Sequence, residues 1–167
     1  GTDVSLIEAL PKILPNEDED VSNELEKIFL KKNMKILKNE IVRKIDKKES
    51  NVIIHLESGA TVNCEKALIA IGVDGNIENI GLEECGVSID KGWVKVNSYM
   101  QTSIPNIYAI GDVAGPPWLA HVASKEGMIA AGHLANLKPQ PMDYRNIPGC
   151  TYCDPEVASV GLTEEQA

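Results

Sequence analysis

The chain has 167 residues, of which 43% are apolar and 25% charged, a composition typical of a folded globular protein. Its formal net charge of −9 disfavours nucleic acid and anionic membrane surfaces as partners, because both attract positively charged protein surfaces. No apolar run approaches the roughly 20 residues that cross a bilayer. Four cysteines are too few for a disulfide-stabilised scaffold, which favours a reducing compartment.

The first 64 residues predict one helix among several short strands. Residues 4–8 form a β-branched and apolar run that predicts a strand, and the prolines at 11 and 15 predict a loop after it. Between 17 and 33, apolar residues recur at helical spacing while acidic and basic residues concentrate at opposite ends, which predicts an amphipathic helix. Further strands are predicted at 34–37, 40–45, 52–57 and 60–64, the last two joined by a two-residue hairpin turn at Ser58–Gly59.

The remaining sequence predicts two buried strands and a second helix. Residues 67–72 and 107–112 are apolar runs that contain a terminal or penultimate glycine, and each predicts a strand covered on both faces. Residues 118–137 predict a helix rich in small side chains. One or two strands are predicted within 147–161, followed by a helix start capped by Thr163. Together these elements predict an α/β fold.

Two features carry weaker chemical signals. Cys150 and Cys153 form a C-x-x-C motif, which occurs in dithiol redox centres and zinc sites. The motif lies in a segment that reads as extended, where side chains three residues apart point to opposite faces, so structural thiols are favoured over a redox pair or a metal site. Nine of the sixteen basic residues lie between Lys27 and Lys48, and we interpret this stretch as solvated surface.

Two acidic residues are candidates for nucleotide binding. Glu8 ends the first predicted strand, where a carboxylate can accept both hydroxyls of an adenine ribose; a plain exposed strand end is the alternative. Asp112 ends the strand predicted at 107–112, at the sheet edge where α/β proteins contact ligands. The preceding Gly111 lets the backbone approach a ligand closely.

A series of segments, in sequence order, resembles the flavoprotein disulfide reductases, and within that family the branch that oxidises dihydrolipoamide. The matching segments are 6–8, 70–72, 81–84, 100–103, 107–116, 119–127 and 154–163. The resemblance implies an incomplete Rossmann-like NAD-binding domain with an antiparallel meander at 1–72. It further implies the C-terminal part of an FAD-binding domain at 73–142 and the start of an α+β dimerisation domain at 143–167.

The resemblance also implies roles for individual residues. Glu8 would hold the adenosine ribose of NAD, and Gly72 would lie near the nicotinamide. Gly111 and Asp112 would contact FAD around its ribityl and pyrophosphate groups. The segment Leu119, Ala120 and His121 would face the flavin, largely through backbone groups. Relatives often carry an arginine after the glycine that matches Gly72, whereas this chain has Val73.

The implied activity is the oxidation of dihydrolipoamide, with electrons passing through a redox disulfide and FAD to NAD. The implied protein is a homodimer of the cytoplasm, or of the mitochondrial matrix in a eukaryote, that serves lipoyl-bearing subunits of 2-oxo acid dehydrogenase complexes. The redox disulfide, the glycine-rich phosphate turns and the catalytic histidine would lie outside this chain, so we expect no catalytic residue and no metal site within it. On its own, the chain is expected to be inactive and to associate. The alternatives are a mercuric or glutathione reductase type of enzyme, and a structural or protein-binding module without a cofactor.

Overall fold

The computed structural model describes all 167 residues and shows an α/β protein with nine strands and two α-helices. The chain divides into two compact units. Unit 1 contains Gly1–Ala70 and Pro148–Ala167, and unit 2 contains Ile71–Ile147. Neither helix combines the length and the apolar character that a membrane span requires.

Unit 1 begins with a parallel βαβ arrangement. Strand β1 (Ser5–Glu8) pairs in parallel with β2 (Lys35–Lys38), and helix α1 (Glu19–Lys31) connects them. The helix forms where it was predicted because its acidic first turn and basic last turn oppose the helix dipole, and its inner face buries Leu25. The two predicted strands and the helix are therefore confirmed, with ends shifted by one or two residues.

An antiparallel meander follows, with strand order β3 (Val42–Lys47), β4 (Val52–Leu56) and β5 (Thr61–Cys64). The predicted strands are confirmed, but the predicted two-residue turn between β4 and β5 is wrong. Glu57, Ser58 and Gly59 form a three-residue loop in which the Gly59 N–H donates to the Leu56 carbonyl. Gly59 has a φ of 87°, so it adopts the left-handed conformation that such loops require at this position.

The last residues of the chain pack with unit 1. Strands β8 (Gly149–Thr151) and β9 (Val157–Ser159) form an antiparallel hairpin, so residues 147–161 contain two strands. The Lys32 ammonium group binds the Asp154 carboxylate at 2.6 Å, next to the C-terminal end of α1. Contacts thus group residues 148–167 with residues 1–70 in unit 1.

Unit 2 is built around α2 (Ala120–Leu134) and a short hairpin of β6 (Ile89–Asp90) and β7 (Trp93–Val94). The helix confirms the prediction over a shorter span. The core cluster of unit 2 contains Val87, Val94 and Ala109. Two 3₁₀ turns, Gly111–Ala114 and Tyr144–Asn146, complete the unit.

The two strands predicted to be buried do not form. Residues 66–71 have no strand pairing, and Leu68 and Ile71 are each 93% exposed. In the second run, only Tyr108 makes an isolated bridge, to Gln101, before the chain turns at Gly111. A strand needs a neighbour that takes its backbone hydrogen bonds, and the four small sheets of this chain provide none for either run.

The Thr163 prediction is confirmed only as a turn. The Gln166 N–H donates to the Thr163 hydroxyl at 3.2 Å, as a helix cap requires, but the chain forms a turn there and no helix.

A carboxylate at the start of α1 predicts a pH-dependent contact with the end of the chain. Asp18 accepts the backbone N–H groups of Glu164, at 2.9 Å, and Asp20, at 3.0 Å, and these bonds lower its pKa. A depressed pKa stabilises the fold above the unfolded value of about 3.9, and this contribution disappears as pH falls through the folded pKa. We therefore expect Asp18→Ala to lower the urea midpoint at pH 7.

The effect of the same substitution should shrink at acidic pH, as the pH falls through the lowered pKa of Asp18 and its carboxyl group becomes protonated. Asp3→Ala is the matched control, because Asp3 is an exposed carboxylate that accepts no hydrogen bond. Equal losses from Asp18→Ala at neutral and at acidic pH would contradict this account of the contact.

Candidate functional site

Glu8 lies at the carboxyl end of β1, where the parallel pair places ligand-contacting groups in α/β folds. Its side chain is partly buried, and one carboxylate oxygen accepts the Leu10 N–H at 2.8 Å. The second oxygen accepts no hydrogen bond from the chain. Glu8 therefore presents an oriented carboxylate with one oxygen open to an external donor.

The cation opposite Glu8 is already engaged. Lys38 is the register partner of Glu8 on β2, and its ammonium group binds the Glu26 carboxylate at 2.6 Å. Both side chains of this pair are more than two-thirds buried. Glu8 itself forms no ion pair, so its negative charge faces an incoming ligand uncompensated. This arrangement suits hydroxyl donors and repels a phosphate.

In unit 2, Gly111 and Asp112 form a turn and not the end of a strand. Ile110 is extended, Gly111 is left-handed with a φ of 70°, and a 3₁₀ turn continues to Ala114. A Cβ at Gly111 would lie 3.3 Å from the Cβ of Ala123 on α2, so the turn packs closely on the helix. The Asp112 side chain is exposed, which leaves its carboxylate accessible to a ligand.

A buried carboxylate that the sequence analysis missed supports this turn. Glu126 on α2 is 3% exposed, and its oxygens accept the Gly111 N–H at 2.6 Å and the Tyr144 hydroxyl at 2.7 Å. Burial, the hydrogen bond to Glu126 and its negative charge raise the pKa of Tyr144, which keeps the hydroxyl protonated as the donor. A sequence signal existed, because Glu126 occupies the same helical stripe as the buried Val122 and Ile129.

The first turn of α2 contains the other residues predicted to face a cofactor. Leu119 precedes the helix in extended conformation and provides no side-chain cap. Ala120 and His121 begin the helix, and both are exposed. The N-terminal N–H groups of the helix are thus not covered by a capping side chain, and the helix dipole adds partial positive charge at this end.

Gly72 stands apart from these contacts. It is exposed, its φ of 119° requires glycine, and a Cβ there would meet no atom within 4 Å. The structure therefore brings Gly111 together with α2, leaves the Cβ position of Gly72 open, and places Glu8 in the other unit.

The C-x-x-C motif forms no site in the structure. Cys150 lies exposed in β8, while Cys153 follows the strand and its thiol donates to the Pro155 carbonyl at 3.0 Å. Both thiols are free, and no group of three or more histidine, cysteine or acidic side chains is arranged to hold a metal ion.

The packing of the Gly111 turn predicts a position-specific cost of adding a methyl group. Gly111→Ala introduces left-handed strain and a tight contact of 3.3 Å with the Ala123 Cβ, whereas Gly59→Ala introduces the strain alone because its Cβ position is open. We expect a loss of about 1 kcal/mol for Gly59→Ala and about 2 to 3 kcal/mol for Gly111→Ala, measured by urea denaturation. Equal losses would show that α2 does not constrain the turn.

Known proteins are similar in sequence to this chain along its full length. Residues 1–127 match the family model of the pyridine nucleotide-disulphide oxidoreductases. The dihydrolipoyl dehydrogenase of Rhizobium etli is 42% identical over 172 residues, aligning 100% of this chain with 36% of that protein. The dihydrolipoyl dehydrogenase of Bacillus subtilis is 44% identical, also over 172 residues and with the same coverage of each chain. The chain thus spans about a third of the length of these curated relatives.

Solved structures show the same fold. LpdA from Mycobacterium tuberculosis superposes with a TM-score of 0.93 and 30% identity, covering 99% of this chain and 36% of that one. The HOCl-induced flavoprotein disulfide reductase RclA from Escherichia coli superposes with a TM-score of 0.90 and 27% identity, covering 99% of this chain and 38% of that one. Since the family model covers most of the sequence, the chain belongs to the pyridine nucleotide-disulphide oxidoreductase family.

Proposed function

We propose that the protein containing this chain oxidises dihydrolipoamide and passes the electrons through a redox disulfide and FAD to NAD. The observation that carries the proposal is the identity of 42 to 44% with dihydrolipoyl dehydrogenases along the whole chain. In this proposal the chain contributes parts of two nucleotide sites, and the redox disulfide and catalytic histidine belong to other parts of the protein.

The proposal assigns a role to each segment. Residues 1–72 are part of an NAD-binding domain of Rossmann type with its antiparallel meander. Residues 73–142 are the C-terminal part of an FAD-binding domain, and residues 143–167 begin a dimerisation domain. The parallel βαβ arrangement of β1, α1 and β2 supports the first assignment, because it is the repeating unit of dinucleotide-binding folds.

The residues present fit NAD at the end of β1. An adenine ribose offers two hydroxyl donors, and Glu8 offers a carboxylate whose open oxygen and orientation suit them. Gly72 is proposed to lie near the nicotinamide, where its lack of a side chain leaves room for a ring. Glu8 would bind and orient the adenosine half of the dinucleotide.

The residues present also fit FAD in unit 2. Bound FAD supplies the two-electron centre between the disulfide and NAD. The exposed Asp112 carboxylate can accept hydrogen bonds from hydroxyl groups of the ribityl chain. Gly111 has no side chain, so the cofactor can approach the backbone at that point. Leu119, Ala120 and His121 would face the flavin through backbone groups at the start of α2.

Another reductase of the same family, of the mercuric or glutathione type, is the second candidate. The structural similarity to RclA, at 27% identity, shows that the fold also serves a flavoprotein disulfide reductase induced by HOCl. The higher identity to dihydrolipoyl dehydrogenases favours dihydrolipoamide. We further propose a cytoplasmic homodimer whose partners are the lipoyl-bearing subunits of 2-oxo acid dehydrogenase complexes.

Activity of the full-length protein tests the proposed reaction. We expect purified full-length protein to contain FAD and to reduce NAD with dihydrolipoamide. Oxidised glutathione with NADPH and Hg²⁺ with NADPH serve as the competing substrate pairs. Flavin-containing protein that turns over either competing pair faster than dihydrolipoamide with NAD would contradict the proposal.

The charge at Glu8 predicts a preference for NAD over NADP. A 2′-phosphate about 4 Å from the carboxylate would cost about 4 kcal/mol per charge pair at an effective dielectric near 20. Even half of that cost, about 2 kcal/mol, corresponds to more than tenfold discrimination. Glu8→Gln should therefore narrow the ratio of kcat/KM for NAD to that for NADP by about tenfold or more.

Glu24→Gln provides the control for Glu8→Gln, because Glu24 is an exposed carboxylate on α1 and not at the strand ends. It should leave the cofactor ratio unchanged. Equal turnover with NAD and NADP in the unmodified protein would refute the role of Glu8.

A further inference from the structure

Glu126 is the only buried ionisable side chain of the protein, and the proposed reaction assigns it no part. It forms no ion pair, and the two partners of its carboxylate are neutral donors from different segments. Burying a carboxylate without a cation is costly unless its oxygens accept hydrogen bonds. The protein retains this costly group at the point where α2 meets the Gly111 turn.

The hydrogen bond from Gly111 to Glu126 fixes the backbone next to Asp112. The Gly111 N–H points at the Glu126 carboxylate at 2.6 Å, and Asp112 is the next residue. The turn is closed on its other side by the Gly115 N–H, which donates to the Asp112 carbonyl at 3.2 Å. Because Gly111 lies in the left-handed region, a lost hydrogen bond at its N–H leaves a flexible residue immediately before the carboxylate.

The hydrogen bond from Tyr144 fixes the Glu126 carboxylate itself. Tyr144 donates to the other Glu126 oxygen at 2.7 Å. The tyrosine lies on a 3₁₀ turn in which the Asp143 side chain accepts the Arg145 N–H, and the Met142 N–H of the same segment donates to the Ser98 carbonyl at 2.8 Å. Tyr144 therefore orients the Glu126 carboxylate, and this carboxylate in turn binds the Gly111 N–H of the turn.

Small side chains let the turn reach the helix. A Cβ at Gly111 would meet Ala123, and a Cβ at Gly127 would meet the Ile110 side chain, both at 3.3 Å. These contacts set the distance between the turn and α2, while apolar packing alone leaves the direction of the peptide group free. The hydrogen bond from Gly111 to Glu126 supplies that direction.

We propose that Glu126 is a positioning residue that acts through Gly111 to hold Asp112 for contact with FAD. The inference rests on the proposed function, since it takes Asp112 as a ligand of the flavin cofactor. It assigns Glu126 no contact with the cofactor. The competing explanation is that Glu126 serves only the stability of unit 2.

Binding of FAD to the full-length apoprotein distinguishes the two explanations. Glu126→Leu keeps the side-chain volume and removes both acceptors, so we expect FAD to bind about tenfold more weakly or worse. Glu126→Gln keeps an acceptor for the Gly111 N–H and gives a donor to the Tyr144 oxygen, so its affinity should stay within about threefold of the unmodified protein. Flavin fluorescence gives the dissociation constants, and the visible flavin spectrum reports the environment of the bound ring.

Ile129→Ala is the matched control, because Ile129 is equally buried on the same helix and forms no hydrogen bond with the turn. It should lower the melting temperature of the apoprotein while leaving the dissociation constant within about twofold. Tyr144→Phe removes only the hydrogen bond from Tyr144 to Glu126 and should weaken FAD binding by about threefold. That variant decides the question if Glu126→Leu does not yield folded protein, and an unchanged affinity in it would then contradict the proposal.

Each result has a distinct meaning. Unmodified full-length protein that binds no FAD overturns the proposed function, and the inference with it. Protein that binds FAD normally but shows the same affinity in Glu126→Leu overturns the inference alone. Weakening by Glu126→Leu that Ile129→Ala matches shows a role in stability only and also overturns it.

Discussion

Pairing of backbone hydrogen bonds decides which parts of this sequence become strands. Residues 5–8 and 35–38 become β1 and β2 because α1 returns the chain in parallel beside its own start. Residues 66–71 are more apolar than either strand, yet they remain unpaired with Leu68 and Ile71 exposed. Apolar character alone does not form a strand, and the location of Glu8 depends on the pairing that β1 obtains.

The candidate site follows from two kinds of anchoring. Glu8 owes its position to a regular element, since it is the last residue of a paired strand and its carboxylate is oriented by the Leu10 N–H. Asp112 lies on an irregular turn, where no ladder of hydrogen bonds fixes the backbone. A buried carboxylate on the neighbouring helix takes over that task through the Gly111 N–H. The irregular part of the site therefore needs a polar support that the regular part does not.

Local sequence patterns predicted the local structure well. The charge gradient and apolar spacing of α1 and the alternating strands of the meander depend on residues close in sequence, and they form as expected. The two buried strands failed because of partners distant in sequence: both apolar runs needed neighbouring strands that the pattern could not supply. Glu126 was missed for the same reason, because its partners Gly111 and Tyr144 lie 15 and 18 residues away. Glu8, Gly111 and Asp112 were found from their positions at the ends of predicted strands. The other candidates, Gly72, Leu119, Ala120 and His121, came from the family resemblance, which carries such distant relations implicitly.

We propose that this chain contributes an acidic group to each of two nucleotide sites. A crystal structure of the full-length protein with FAD and NAD tests it most directly. We expect the Glu8 carboxylate oxygens to lie about 3 Å from the adenine ribose hydroxyls of NAD, and the Asp112 carboxylate to lie at hydrogen-bond distance from FAD. Nucleotides bound with both carboxylates facing solvent would contradict it.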